Sequence, residues 1–287
     1  MKKADRRHLE VATFSHPGLS GRKNEDRYAV ESFTGPAKKP VLFAVLCDGI
    51  GGHRAGEVAA ELAVDHILKA VSASDGTHPL PIMEAAIRGA SQAIAKRSAN
   101  NPEEAGMGAT CACIWVTANR LFTAYVGDSR IYLVRDGEIH RLTLDHTWEQ
   151  EAIEVGLLRP DQAGDHPNIH VLRRHLGSSK PPAVDFRQFL EAGEDGRQAR
   201  RHQGAKLKPG DVLMACSDGL TDSVPDDEIL RLVTTQETLE PVAEELVMQA
   251  NQRGGFDNTT VILIRASFGD EARLRGRQAS REQSPTA

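Results

Sequence analysis

The sequence predicts an α+β fold in which antiparallel β-sheets are sandwiched between layers of helices. Short β-rich runs, each bounded by Gly, Pro, Asn or Asp, recur along the chain, and amphipathic helical stretches separate them. The chain has 287 residues, of which 40% are hydrophobic, enough for one large domain with its own core or for two small ones. This composition excludes a disordered or fibrous chain.

The expected elements follow one another in a clear order. Residues 56–71 and 81–98 carry apolar side chains at helical spacing and predict two helices that pack on a sheet. Residues 226–233 and 238–252 are again amphipathic and predict a second helical pair. The β-rich runs suggest two antiparallel sheets. These expected strands are 11–14, 27–30, 40–49, 109–117, 121–129, 130–137, 211–219 and 259–266.

The segments around these elements predict one folded domain over residues 9–266 with flexible ends. We expect residues 1–8 to be flexible and the polar, Arg- and Ser-rich residues 267–287 to be a disordered tail. Residues 147–182 are expected to form an irregular excursion with a short helix. The charged stretch 191–205 is expected to be a surface loop.

Charge and composition exclude several kinds of partner. The net charge is −5 and the acidic residues are spread along the chain, so nothing favours a nucleic-acid partner. No apolar run reaches membrane-spanning length, and the basic N-terminus lacks the apolar segment of a signal peptide; we therefore expect a cytoplasmic chain that does not bind a membrane. The cysteines lie in strand-like runs without zinc-site spacing and are expected to be reduced core residues. They are Cys47, Cys111, Cys113 and Cys216.

Acidic residues stand where several apolar strands end. Asp48, Asp128 and Asp218 each follow a β-rich run, and glycine follows two of them. Asp222 and Asp257 lie close by in sequence. A single Asp-Gly pair is more often an ordinary turn, but several at strand ends favour a shared site. Oxygen ligands without His or Cys select magnesium, manganese or calcium, so this pattern predicts a hard-metal site.

Two such ions about 3.5 to 4 Å apart can generate hydroxide and neutralise a phosphoryl group, which favours phosphoester hydrolysis. A cysteine-nucleophile phosphatase is excluded, because none of the four cysteines has the required arginine six residues later. Those positions hold His53, Thr117, Asn119 and Asp222. No P-loop or EF-hand motif is present either, which leaves nucleotide-driven transfer and a calcium-binding structural protein without support.

A set of motifs resembles the metal-dependent protein phosphatases of the protein phosphatase 2C family. In chain order they are NEDRYAV, LCDGIGGH, GATCAC, YVGDSRIYLVRDGEI, LTLDHT, LKPGDVLMACSDGLTD and FDNTTVIL. The resemblance covers about residues 9–266 and is strongest to compact bacterial members. It implies a four-layer α-β-β-α sandwich with two manganese or magnesium ions in a cleft between the sheets. It also implies hydrolysis of phosphoserine and phosphothreonine in proteins, opposing a serine/threonine kinase.

The resemblance also implies roles for individual residues. Asp48 matches the carboxylate that bridges both ions, and the Gly49 carbonyl matches the group that completes one of them. The other ion would be completed by Asp218 and Asp257. The remaining matches are Glu25 and Asp26, which would hold metal-bound waters, Asp128 and Asp222, which would bind a third and weaker ion, and Asn258, which would orient a ligand or its water.

Two positions depart from the family pattern. The phosphate-binding arginine usually stands three residues before the Asn of the NED motif, where this chain has Gly21. Arg22 is the nearest substitute, since a guanidinium can bind phosphate bidentately, and Arg27 is a weaker candidate. The histidine proposed as general acid in many eukaryotic members is replaced by Ile50. His53 would substitute for it only if its loop turns inward, and a metal-bound water is the alternative.

Other residues near the expected site leave alternatives open. His166, His170 and His175 lie in the excursion expected to cover the site, and we interpret them as a solvated loop rather than substrate contacts. A second hypothesis for the whole chain is a catalytically inactive, phosphatase-like binding or regulatory module. The filled metal-ligand positions favour the enzyme, because clustered carboxylates cost stability unless a cation binds them.

Overall fold

A computed structural model describes residues 1–5, 7–51, 55–159, 168 and 170–267. Its helices lie where the amphipathic stretches predict them, with further short helices between the strands. The helices are α1 Ala55–Ala73, α2 Pro79–Asn100, α3 Trp148–Glu154, α4 Gly196–Arg201, α5 Asp218–Thr221, α6 Asp226–Thr235 and α7 Leu239–Gln252. The strands are β1 Lys2–Lys3, β2 Glu10–His16, β3 Arg27–Thr34, β4 Pro40–Cys47, β5 Gly49–Ile50, β6 Gly108–Ala109, β7 Cys111–Thr117, β8 Arg120–Val126, β9 Arg130–Arg135, β10 Glu138–Arg141, β11 Ala205–Lys206, β12 Val212–Cys216 and β13 Thr259–Arg265.

The strands form two antiparallel sheets, as the sequence predicts. One sheet has the order β1-β3-β4-β7-β8-β11 and the other has the order β10-β9-β12-β13-β2. A short separate ladder joins β5 to β6. Because every described strand pair is antiparallel, neighbouring strands run in opposite directions. The turns between them therefore lie at the two ends of the sheet, where the strands begin and end.

Three buried apolar layers alternate with the sheets and helices. One lies between α1, α2 and the first sheet, a second between the two sheets, and a third between the second sheet and α5 to α7. In β4, Phe43 and Val45 face the helices, whereas Leu42 and Leu46 face the other sheet. Strands buried on both faces are apolar throughout, which explains the continuous run PVLFAVLC. The four-layer α-β-β-α architecture is therefore confirmed.

The N-terminus, expected to be flexible, is paired with the first sheet in this structure. Lys2 and Lys3 lie opposite Thr34 and Phe33. The amino group of Met1 donates hydrogen bonds to the carbonyl oxygens of Ser72, in the last turn of α1, and of Ser74, just after the helix. These backbone bonds order a segment whose composition carries no strand signal.

The prediction of a surface loop over 191–205 was wrong in part, because the segment contains α4. Asp195 accepts hydrogen bonds from the backbone of Arg197 and Gln198, and the Gln198 side chain accepts from the backbone of Asp195. This capping box satisfies backbone donors that would otherwise lack partners. Ala199 is fully buried and anchors the helix. The Asp-x-x-Gln spacing was the available signal. The short helix expected in the excursion 147–182 is present as α3.

None of the described helices is long and apolar enough to cross a membrane. Beyond Ser267 the expected tail lies outside the described residues, so its predicted disorder stays a prediction.

Candidate metal centre

The strands that are followed by acidic residues end at the same end of the sandwich in both sheets. In the first sheet Leu46 lies opposite Ala112 and Cys111 lies opposite Val126, so β4 ends next to the β8–β9 turn. In the second sheet Cys216 lies opposite Arg130, so β12 ends at that turn as well. The residues that follow these strand ends are Asp48, Asp128 and Asp218.

The electrostatics of Asp48 show that the predicted acids lie close together. Burial raises the pKa of Asp48 well above its ordinary value, and neighbouring carboxylates raise it further. Like charges disfavour ionisation only at short range, so these acids lie near one another. The contributing neighbours are Asp26, Asp218, Asp128 and Asp257. Burial and like charges also raise the pKa of Asp218.

Buried hydroxyl groups fix the positions of the strand ends. The Asp48 backbone N–H donates to Thr110 Oγ1 at 2.9 Å, and the Thr110 N–H donates to the Asp48 carbonyl at 2.8 Å. Thr110 Oγ1 also lies 2.7 Å from Ser129 Oγ, which joins this strand end to the Asp128 turn. Neither hydroxyl is among the residues predicted from the sequence, although Thr110 stands in GATCAC and Ser129 in YVGDSRIYLVRDGEI.

The Ser217 hydroxyl holds the carboxyl of Asp26. Its carboxyl is only 3% exposed and accepts a hydrogen bond from Ser217 Oγ at 2.8 Å. Ser217 Oγ in turn accepts from the Thr260 N–H at 2.9 Å. Burial raises the pKa of Asp26 to about 6, and hydrogen bonds from Thr260 and Ser217 oppose that rise. These contacts orient one carboxylate oxygen and leave Oδ1 free of any partner in the described structure.

Asn258 ties together the two loops at the edge of this site. Its side-chain oxygen accepts from the Glu25 N–H at 2.7 Å, and its side-chain nitrogen donates to the carbonyls of Pro17 and Lys23 at 2.9 and 3.1 Å. Its own N–H donates to Asp257 Oδ1 at 2.8 Å. The side chain thus positions the segment that carries Glu25, rather than bonding the Asp257 carboxylate directly. Its predicted role in orienting a metal ligand or its water stays a prediction.

Glycines allow Glu25 and the Gly49 carbonyl to approach each other. A Cβ atom at Gly56, in the first turn of α1, would lie 2.8 Å from the Gly49 carbonyl oxygen and 2.9 Å from Glu25 Oε1. Only a hydrogen atom fits there without displacing these oxygens. Burial is also the largest influence on Glu25 and raises its pKa. From the sequence, Gly56 is predicted only as part of a helix, and this steric constraint is not evident there.

Asp128 and Asp222 occupy one side of the acidic cluster. Burial raises the pKa of Asp128 to about 7, and the charges of Asp145 and Asp222 contribute to the rise. Asp145 is ion-paired with Arg130 at 2.8 Å and also with Arg141. Asp222 is exposed on the outer side of the cluster. Burial of its carboxyl raises the pKa of Asp222, and the charge of His170 opposes that rise.

The arginine candidates differ in how free they are. Arg27 donates to the Asn24 and Asp26 carbonyls and to Glu57 Oε1 at 2.7 Å, so its guanidinium is already engaged. Arg22 is exposed and makes no hydrogen bond or ion pair with any residue that the structure describes. Its charge lies near Glu25, where burial raises the carboxyl pKa and Arg22 opposes that rise.

The histidine candidates are only partly placed. His53 and His166 lie outside the described residues. His170 is exposed, in keeping with the solvated-loop interpretation. That interpretation was wrong for His175, which is half-buried against Gly108 and lies 3.3 Å from Ser178 Oγ.

Comparison with known proteins identifies the family. The family model described as Protein phosphatase 2C matches residues 19–254. The chain belongs to the protein phosphatase 2C family. Among curated relatives, it is 35% identical over 256 residues to the serine/threonine protein phosphatase PstP of Mycobacterium tuberculosis, covering 89% of this chain but 44% of PstP. It is 32% identical over 266 residues to the protein phosphatase PhpP of Streptococcus pneumoniae, covering 89% and 97%.

Solved structures of protein phosphatase 2C relatives share the fold. The serine/threonine phosphatase of Streptococcus agalactiae superposes with a TM-score of 0.78 at 29% identity, covering 91% of this chain and all of that one. The catalytic domain of PstP superposes with a TM-score of 0.72 at 32% identity, covering 91% and 99%. That PstP domain is described in complex with two manganese ions.

The donor atoms of this protein phosphatase 2C domain fit hard divalent cations. Glu25 Oε1, Asp26 Oδ1 and Asp218 Oδ1 are buried without a hydrogen-bond partner among the described residues. A buried carboxylate oxygen without a partner is costly unless a proton or cation compensates it. No three His, Cys, Asp or Glu side chains in the described ranges already form a coordination shell. Mutual repulsion would keep the carboxylates apart, so we expect cation binding to draw them together.

Gly56→Ala tests the close approach at the Gly49 carbonyl. The added methyl group would displace that backbone oxygen and the Glu25 carboxylate, so we expect metal-dependent phosphatase activity to fall at least about tenfold with only a modest loss of stability. Activity with manganese and thermal unfolding are the measurements. Gly89→Ala is the matched control, because a Cβ at that helical position meets nothing within 4 Å and should be neutral or stabilising. Full activity of Gly56→Ala would contradict the steric argument.

The raised carboxyl pKa values predict how the metal-free protein responds to pH. Asp26 and Asp128 titrate near 6 and 7 when folded and near 3.8 when unfolded. Between about pH 4 and 7 the folded state therefore binds more protons than the unfolded state, so the free energy of unfolding falls as pH rises. Between pH 6 and 8 in chelator, we expect a loss of about 1 kcal/mol in the free energy of unfolding.

Asp128→Asn is the control for this pH dependence and should remove much of the slope. His146 contributes the opposite sign, since burial lowers its pKa, and it remains present in both proteins. Urea unfolding at fixed ionic strength supplies the comparison. Equal slopes for wild type and Asp128→Asn would show that Asp128 does not carry the raised pKa.

Proposed function

We propose that the chain hydrolyses phosphoserine and phosphothreonine in proteins, using a hydroxide held between two manganese or magnesium ions, and that it opposes a serine/threonine kinase. The observation that carries this proposal is the cluster of partly unsatisfied carboxylates around Asp48. Two bound divalent ions would supply the nucleophile and neutralise charge on the phosphoryl group. Family membership and the relatives named above support the same reaction.

We assign each residue a part in this reaction from its position in the fold. Asp48 lies among the other acids and would contact both ions, with the Gly49 carbonyl completing one ion and Asp218 and Asp257 the other. Glu25 and Asp26 would accept hydrogen bonds from waters on these ions. The Ser217 and Thr260 contacts orient Asp26 for this role, and the Asn258 contact orients Glu25.

A third ion would be held by Asp128 and Asp222. Burial raises the pKa of Asp128, and the charge of Asp222 adds to that rise, which supports a position for the two carboxyls near each other. Asp222 is exposed, which suits weaker and exchangeable binding.

Arg22 would bind the substrate phosphate. Its free, exposed guanidinium stands beside Glu25 and can offer paired donors to phosphate oxygens, whereas Arg27 is held by Glu57. His53 remains a candidate general acid, with a water on a bound ion as the alternative proton donor.

The first test is phosphate release from a phosphothreonine peptide by the purified chain with manganese, with magnesium and with excess chelator. We expect release that needs a metal, stops with chelator and returns when manganese is restored. No release from a folded sample under any of these conditions would favour the binding-module alternative.

Asp48→Asn should abolish turnover and leave the fold intact, because it removes a central metal ligand rather than a core contact. We expect at least a hundredfold loss of activity and a smaller rise in melting temperature on adding manganese. Asp136→Asn is a suitable control, since Asp136 is an exposed acid that pairs only with Lys208 in the described structure. Wild-type activity in Asp48→Asn would refute the assignment.

Arg22→Ala should mainly raise the Michaelis constant if Arg22 binds ground-state phosphate, by about tenfold for one charge-assisted contact. Steady-state kinetics with a phosphothreonine peptide measure this. Arg231→Ala, which removes an exposed arginine on α6, controls for the change in net charge. An unchanged Michaelis constant in Arg22→Ala would exclude the proposed role.

A further inference from the structure

Two exposed apolar side chains stand on hydrogen-bonded loops, one of which continues directly into Asp257. Leu19 is 64% exposed and Phe256 is 76% exposed. The Leu19 N–H donates to the Gly255 carbonyl at 2.7 Å, which fixes the two loops against each other. We call the surface formed by Leu19, Gly254, Gly255 and Phe256 the apolar rim.

The glycine pair makes room for both side chains. A Cβ atom at Gly255 would lie 2.8 Å from Leu19 Cγ, and one at Gly254 would lie 2.3 Å from the Phe256 ring. Leu19 and Phe256 therefore rest on glycine backbone, which leaves their outer faces open to solvent. Isolated exposed apolar side chains are ordinary, but adjacent ones supported by a fixed backbone form a surface that a ligand can cover.

The apolar rim has a fixed position relative to the proposed catalytic groups. Phe256 directly precedes Asp257, and Leu19 stands three residues before Arg22. The Asn258 side chain bonds to Pro17 and Lys23, on either side of Leu19. A change in the loop that carries Leu19 would therefore also move Arg22.

A hollow of about 400 Å³ is lined by Phe256 of the rim together with the acids Asp222 and Asp257. The Arg253 guanidinium on its wall is held by Glu228 at 2.6 Å and by the Ser223 carbonyl at 3.0 Å, so its charge is already balanced. Phe256 supplies the apolar part of the lining. The full lining is Gly219, Asp222, Ser223, Arg253, Phe256 and Asp257.

We propose that the apolar rim is a substrate subsite that receives an apolar side chain flanking the phosphorylated residue. This inference rests on the proposed phosphatase function. Phe256 adjoins Asp257 and Leu19 stands three residues before Arg22. Successive residues of an extended peptide are about 3.3 Å apart, so a residue next to the phosphorylated one is in a position to reach the rim. Partial burial of a leucine-sized side chain there would favour such substrates by about fivefold in kcat/KM.

The test compares two phosphothreonine peptides that differ only in having leucine or serine at the positions flanking the phosphothreonine. For the wild-type chain with manganese, we expect kcat/KM to be about fivefold higher for the leucine peptide. In Phe256→Ala and Leu19→Ala this ratio should fall towards one. The ratio cancels any effect that a substitution has on the metal centre, since both peptides share it. Met248→Ala, which removes an exposed side chain on α7, should keep the wild-type ratio.

The outcomes separate the subsite from the reaction itself. Metal-dependent hydrolysis of p-nitrophenyl phosphate and of both peptides, with equal kcat/KM for the two peptides, would overturn the subsite and leave the proposed function standing. A leucine preference that survives in both variants would overturn it too. No metal-dependent hydrolysis of any ester would overturn the proposed function and the subsite together. A wild-type dimer that Phe256→Ala dissociates, without a change in the peptide ratio, would assign the rim to a second copy of the chain.

Discussion

Electrostatic repulsion among the buried carboxylates of the candidate metal centre limits how the surrounding strands and loops can be arranged. Asp26 is 3% exposed and Asp128 is 9% exposed, and both are harder to ionise than a free aspartate. Without a cation, such groups favour a looser arrangement or protonation. The fold must therefore hold the acids in place against forces that would separate them, and cation binding must return much of that free energy.

The rigidity comes from two sheets that are buried on both faces. A strand such as β4 cannot slide, because a shift by one residue would exchange the side chains that face the helices with those that face the other sheet. The hydroxyls of Thr110, Ser129 and Ser217 then fix the last residues of the strands, where regular pairing ends. Register thus sets the position of the acids, and side-chain hydrogen bonds set their orientation.

The layers, both helical pairs and the convergence of the acids follow from sequence patterns, because buried strands and amphipathic helices have strong periodic signals. The contacts that orient the acids do not. Thr110 and Ser217 look like ordinary strand residues until the register shows what lies opposite them. Gly56 gives no signal within a helix, since its importance comes from Gly49 and Glu25, which are distant in sequence or separated by a loop. Helix α4 was missed because its charged composition outweighed a short capping motif.

Residues at the strand ends and residues on the loops differ in how freely they can be substituted, which bears on substrate selectivity. Asp48 directly follows β4 and Asp218 stands two residues after β12, so substitutions there would disturb the candidate metal centre. Leu19 and Phe256 stand on loops, and their outer faces contact solvent. Yet Asn258 bonds to both sides of the Leu19 loop and to Glu25, so the loops are held by the same residue that positions a candidate site carboxylate. Substitution of the Leu19 or Phe256 side chain can therefore leave the acids in place. A change in the backbone of these loops would move the acids as well.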